Sequence, residues 1–172
     1  MLQVLGAVFI MAGCTGIGLY YRQSFHTALW HLRYMEQILQ MFISEIRYDK
    51  ATLPECCRRV GERVKEPYRE ALLGVYEAML TDDGGAFGEN WRSIMGKAVE
   101  EIALSAEEKR PFLEFADNNS LADNLMQIKV LEQYRNILAV HMKNREADLE
   151  KQCRMASGLG IMGGLLLTVI LL

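Results

Sequence analysis

Proline is scarce, with three residues at positions 54, 67 and 111. None falls before Pro54 or after Pro111, so both ends are free of the residue that most often breaks a helix. Cysteine is scarce as well. Cys14, Cys56, Cys57 and Cys153 offer no C-x-x-C spacing, which excludes a zinc ribbon or dithiol motif and fits a reducing compartment. Of the three histidines, His26 and His31 lie about 140° apart around a helix, too far to share a ligand, and His141 is isolated. The signatures H-E-x-x-H, G-K-[ST] and G-x-S-x-G are missing, so a zinc protease, a P-loop nucleotide site and a serine hydrolase have no sequence support. No catalytic, cofactor or metal constellation can be assembled. Strand-period alternation of useful length is absent too.

Charge is missing from both ends. Residues 1–21 and 155–172 carry no charged side chain, and all 19 basic and 22 acidic residues lie between them. A helix crosses the hydrocarbon core with about 20 apolar residues. The expectation is an N-terminal transmembrane helix over 1–21, a helical domain over 22–154 and a C-terminal transmembrane helix over 155–172. Arg22 and Arg33 follow the first run; Lys143, Arg145, Lys151 and Arg154 precede the second. This flanking charge places the central domain in the cytoplasm and both termini outside. Met11-Ala12-Gly13-Cys14 has the look of a lipobox. Against it, no basic n-region precedes the run, and the apolar stretch continues past Cys14.

Gly158, Gly160 and Gly163 match G-x-G-x-x-G. A dinucleotide loop must follow a strand inside a βαβ unit, and none is present, so the match is accidental. Gly160 and Gly164 instead lie one turn apart, as do Ala12 and Gly16 in the first run. Both are small-x-x-x-small pairs suited to helix packing in lipid, against the other span or against partner helices.

The middle of the chain has a helical period. Phe25, Leu29, Leu32, Met35, Ile38, Leu39, Phe42 and Ile46 share one face, up to a break at Lys50-Ala51. Thr52-Leu53-Pro54-Glu55 reads as a capping box, followed by Leu53, Cys57, Val60 and Val64 inward. Pro67 restarts a helix with Tyr68, Leu72, Val75 and Met79. A turn at Thr81–Gly85 precedes Trp91, Ile94, Met95, Ala98, Val99 and Ile102. Asp82-Asp83-Gly84-Gly85 lacks EF-hand spacing and reads as a solvated turn. Ser105–Glu108 is a second capping box, and Pro111 is expected to kink or end its helix. Glu100-Glu101 and Glu107-Glu108 read as exposed helix ends, and Lys143–Lys151 as a solvated surface. After a break at Asp117–Ser120, Leu121, Leu125, Ile128, Leu131, Leu138, Met142 and Leu149 recur at helical spacing in a segment that runs unbroken to the end. The fold expected is all-α: a helical bundle inserted between two long antiparallel helices that continue into the terminal spans. A net charge of −3 gives no nucleic-acid footprint.

The order of these pieces resembles one family. "SEIRYDKATLPE" at 44–55, a tryptophan-bearing helix at Trp91, "ADNLMQ" at 122–127 and the tail "GLGIMGGLLLTVILL" are similar to the stage III sporulation protein AB family of endospore formers. Members tend to carry F-G-x-x-L-G-x-x-D-x-x-x-Q before the last helix. Phe115, Asp123 and Gln127 match it, while Ala116 and Ser120 replace glycines and Asn119 replaces the apolar residue.

The resemblance implies a non-enzymatic component of the channel between mother cell and forespore, in the mother-cell membrane around the forespore. It implies a cytoplasmic domain similar to the type II secretion platform protein F. The implied partners are the cytoplasmic ATPase, stage III sporulation protein AA, and other stage III A channel proteins, and self-association is compatible with it. A docking ATPase would meet the break farthest from the membrane, where Glu45, Arg47, Tyr48 and Glu55 lie. The same residues also have a structural explanation, with Tyr48 and Pro54 fixing the turn and Glu55 capping a helix. A membrane-anchored helical scaffold without an ATPase partner is the alternative.

Overall fold

The computed structural model describes the backbone of residues 2–81, 85–117 and 124–171, and the side chains of 26–81, 85–117, 124–148 and 151. Among the described residues all regular structure is helical. Helix α1 (Leu2–Asp49) and helix α6 (Asn124–Leu171) each have 48 residues, about 72 Å of helix. Between them come α2 (Leu53–Gly61), α3 (Tyr68–Leu80), α4 (Phe87–Glu100) and α5 (Ala106–Glu114), the last running into a 3-10 turn, Phe115–Asp117. Packing follows chain order from α1 to α2, α3, α4 and α5, and α6 closes the ring against α5 and α1.

The period of α1 explains its place. Leu29, Leu32, Met35, Ile38, Leu39, Phe42 and Ile46 are all buried, with Ala28 and Ile43 beside them. Phe25 lies outside the residues whose side chains are described. The helix stops where Lys50 takes a left-handed backbone (φ 50°), and the Ala51 amide donates to the Glu45 carbonyl at 3.3 Å. From α2 and α3, Leu53, Cys56, Cys57, Val60, Tyr68, Leu72 and Val75 face the same core, while Met79 is half-buried.

Trp91 of α4 sits fully buried at the centre. Its ring lies 4.8 Å from Phe115, 5.4 Å from Phe112 and 5.9 Å from both Phe42 and Phe87, between centroids. The indole Nε1–H donates to the Phe112 carbonyl at 2.9 Å, so the one polar atom of the ring is satisfied. Beside it, a Cβ on Gly88 would stand 2.7 Å from the Ala116 carbonyl oxygen. Glycine at 88 is what lets α4 meet the 3-10 turn this closely.

Some local expectations fail for identifiable reasons. Thr52 has the extended dihedrals of an N-cap, but its hydroxyl makes no capping bond. The carboxylate of Glu55 turns forward to Arg58 and Arg59 instead of back to the Thr52 amide, so the reciprocal half of the box is not made. The capping box at Ser105 does form, with Glu108 reaching back to the Ser105 amide at 2.8 Å. That same Glu108 is buried rather than exposed. Pro111 lies inside α5, which continues to Glu114. The carbonyl it leaves without a helical donor belongs to Glu107, an exposed residue. Leu125, expected inward, is exposed; the packed face of α6 starts two residues later with Gln127, Ile128 and Leu131.

Candidate functional site

The end of the bundle farthest from residues 22 and 154 is built by the α1 terminus and α2. Asp49 stands about 40 Å of helix beyond Arg22. Arg59 organises this tip. Its guanidinium donates to Glu45 at 3.1 Å, to Asp49 at 2.7 Å and to Glu55 at 3.0 Å. Arg63 donates to the other Glu45 oxygen at 2.8 Å. Arg58 donates to Glu55 at 2.6 Å and Glu62 at 3.2 Å. Hydrogen bonds from Arg58 and then Arg59 hold the Glu55 carboxyl down at about 2.

The structure thus brings together two of the four residues expected at a docking surface, and separates the others. Glu45 is only 7% exposed, and both its oxygens are engaged; it positions α2 on α1 from within rather than facing outward. Glu55 shares Arg59 with it at the rim. Arg47 reaches the opposite way, to Glu132 of α6 at 2.7 Å. Tyr48 projects from the tip, 79% exposed. Sequence reasoning passed over Arg58, Arg59 and Arg63. Their signal was present, since Arg58 and Arg59 follow Glu55 by three and four residues, the spacing at which helix side chains meet.

A second ionic site joins α5 to α6. Arg145 donates to both oxygens of Glu108, through Nη2 at 2.8 Å and through Nε, and the Ser105 hydroxyl donates to it at 2.8 Å. Burial opposes the charged Glu108 carboxylate, but the hydrogen bonds from Arg145 and Ser105 outweigh it and bring the carboxyl down to about 2. Arg145 therefore departs from the solvated surface expected for 143–151.

Nothing in the described core is poised for chemistry. Burial pushes the Cys56 thiol up to about 12 and Cys57 well above the usual thiol range, so both are held as protonated, inert side chains. His31 accepts or donates at 3.1 Å to the Tyr68 hydroxyl, and burial lowers its pKa. Among the described residues no group of three His, Cys, Asp or Glu could hold a metal ion. No helix, again among the described residues, is long and apolar enough to cross a membrane. The side chains of the two charge-free runs lie outside those residues, as do Ala12, Gly16, Gly160 and Gly164.

Over residues 3–172 the sequence matches the family described as stage III sporulation protein AB. The chain belongs to that family. The stage III sporulation protein AB of Bacillus subtilis (strain 168) is 24% identical over 176 residues, covering all of both chains. A solved structure of stage III sporulation protein AB superposes with a TM-score of 0.63 at 14% identity, over 73% of this chain and 98% of that one, a likeness of fold. The family is that of a non-catalytic sporulation-channel component.

Proposed function

We propose that the protein is an integral membrane component of the sporulation channel that couples a cytoplasmic ATPase to the assembly. In this reading residues 1–21 and 155–172 span the mother-cell membrane around the forespore, both termini lie outside, and residues 22–154 face the cytoplasm. The ATPase, by family resemblance stage III sporulation protein AA, docks at the far tip.

The observation that carries it is the antiparallel pairing of α1 and α6. Arg33 meets Glu146 and Arg47 meets Glu132, so residues 22 and 154 leave the bundle at the same end. Two charge-free runs attached there would enter one membrane face together. The tip then stands about 40 Å into the cytoplasm, with Tyr48 exposed at the end of α1 and Arg58, Glu62 and Arg63 carried by and just after α2. Such a surface suits a partner that combines an apolar pocket with charges of both signs.

The test is a pull-down of the purified sporulation ATPase on the full-length protein in detergent. Saturable binding is expected, weakened at least tenfold by Tyr48→Ala together with Glu55→Arg. Absence of binding to a folded protein favours the second reading, a helical scaffold without an ATPase partner. The engagement of Glu45, Glu55 and Arg59 with one another speaks for that second reading.

A further inference from the structure

The apolar residues of α6 do not stop at the face that meets the bundle. Leu131 and Leu138 are buried in the core. Two residues on from each, about 200° round the helix, stand Gln133 and Val140. Val140 is 55% exposed, and Met126 on the same outer side is 46% exposed. Val130 and Ile137 are half-buried beside them, and Asn144 and Ala147 continue the line in the open. The ion pairs that tie α6 to α1 and α5 leave from Glu132, Arg135, Arg145 and Glu146, all off this line.

Spacing along the outer line alternates between four and three. Met126, Gln133, Val140 and Ala147 fall seven apart, and so do Val130, Ile137 and Asn144. This is the heptad seam of a coiled coil, with the first set at d and the second at a. β-branched Val130 and Ile137 at a, together with a single asparagine at a, is the combination that favours two parallel strands. The surface has the matching relief. A groove of about 450 Å³ is lined by Gln133, Asn136, Ile137 and Val140, with Lys129 at one end. Those four stand at d, g, a and d, the four-residue hole that receives an a side chain from a parallel partner.

Charge asks for the same orientation. Lys143 at g and Asp148 at the following e are both exposed. Across a parallel pair of identical helices each meets the other on the opposite strand, twice by symmetry. An antiparallel pair centred on the same stretch would set Lys129 against Lys143, like charge against like. Two copies inserted alike in one membrane also present α6 in parallel, a point that rests on the membrane-spanning reading above.

We infer that the outer face of α6 is a homodimer interface, a short parallel coiled coil between two copies of this chain. Ile137 of each copy enters the groove of the other. The two Asn144 side-chain amides meet at the two-fold axis and fix the register. Three heptads are short for a free coiled coil, and confinement of both copies to one bilayer raises the effective concentration at which they meet.

The test is disulfide formation in native membranes, on the full-length chain with Cys14→Ala and Cys153→Ala. Cys56 and Cys57 stay, being buried. Val140→Cys, Met126→Cys and Ala147→Cys, each alone, are expected to give a linked homodimer on mild oxidation. Glu77→Cys, exposed on α3, is expected to give none. In detergent the unsubstituted protein should sediment as a dimer, and Val140→Asp should weaken it by roughly tenfold or more with helical content unchanged. A folded protein that stays monomeric and gives no link at Val140→Cys overturns the proposal. So does linking at Glu77→Cys as readily as at Val140→Cys, which reports random collision. Absence of links at Met126→Cys and Ala147→Cys overturns it too, because an antiparallel pair holds the two copies of either residue roughly 30 Å apart. A link to a different protein in place of the homodimer assigns the face to that partner and overturns it as well. Release of the protein by alkaline carbonate with the homodimer intact would support the interface and reject the membrane-spanning reading alone.

Discussion

Trp91 shows how much one residue can fix. It is a large fully buried ring whose single donor reaches the Phe112 carbonyl, so α4 and α5 are held in one register. Trp91→Phe removes the donor and leaves a buried carbonyl unsatisfied, at about 1–3 kcal/mol. A thermal melt of the detergent-purified protein against the unsubstituted one reads this directly. Gly88 is the matching small residue. Gly88→Ala drives a methyl into the Ala116 backbone carbonyl, and a loss of about 1–3 kcal/mol is expected on the same melt. At Cys56 and Cys57 the expectation is kinetic. Iodoacetamide should leave both unmodified in the folded protein and label both after denaturation, as mapped by peptide mass. The burial of Trp91 and Cys57 was legible from helical spacing. That of Cys56 was not, because its place beside Cys57 put it off the expected stripe. Nor was the need for glycine at 88, since its neighbour Ala116 is 28 residues away and only the folded chain brings them together.

The elements divide in the same way. Both long helices were legible because no proline interrupts them and their apolar residues recur at one period. The start of α5 was legible because Ser105 and Glu108 have capping-box spacing, and the box forms. The identical logic failed at Thr52, where two arginines ahead compete for the Glu55 carboxylate. At the tip the break at Lys50-Ala51 was readable, whereas the inward turn of Glu45 was not. A glutamate on the edge of an apolar stripe looks exposed until Arg59 and Arg63 arrive from another helix. The bond between α5 and α6 was hidden for the same reason. Glu108→Gln should cost about 3 kcal/mol, because it leaves Arg145 half-buried against a neutral partner. The pH dependence has a definite sign. Folded Glu108 ionises at about 2, against 4.5 for the free group, so between those values the unfolded chain holds the extra proton. Its contribution is complete above about pH 4.5 and is lost as the pH falls towards 2. Acid titration of the helical signal should show a shallower stability loss over that window in Glu108→Gln.

At the scale of the whole molecule, α6 acts as the closing stave of the bundle. The exposed ion pairs along it give direction more than stability. Glu132→Ala should lower stability by less than about 1 kcal/mol, whereas Leu138→Ala, at a fully buried position on the same helix, should lower it by about 2–5 kcal/mol. Chemical denaturation of the two variants side by side distinguishes them. The closure also orders events in time. α1 is the first element made and α6 the last, yet Leu131 and Leu138 of α6 belong to the same core cluster as the apolar face of α1. During synthesis the part of that face which α6 covers therefore waits, open to water, until residues 50–123 and the start of α6 have been translated. A nascent chain in that state is the form a chaperone would hold, and a ribosome stalled ahead of residue 124 would present it without relief.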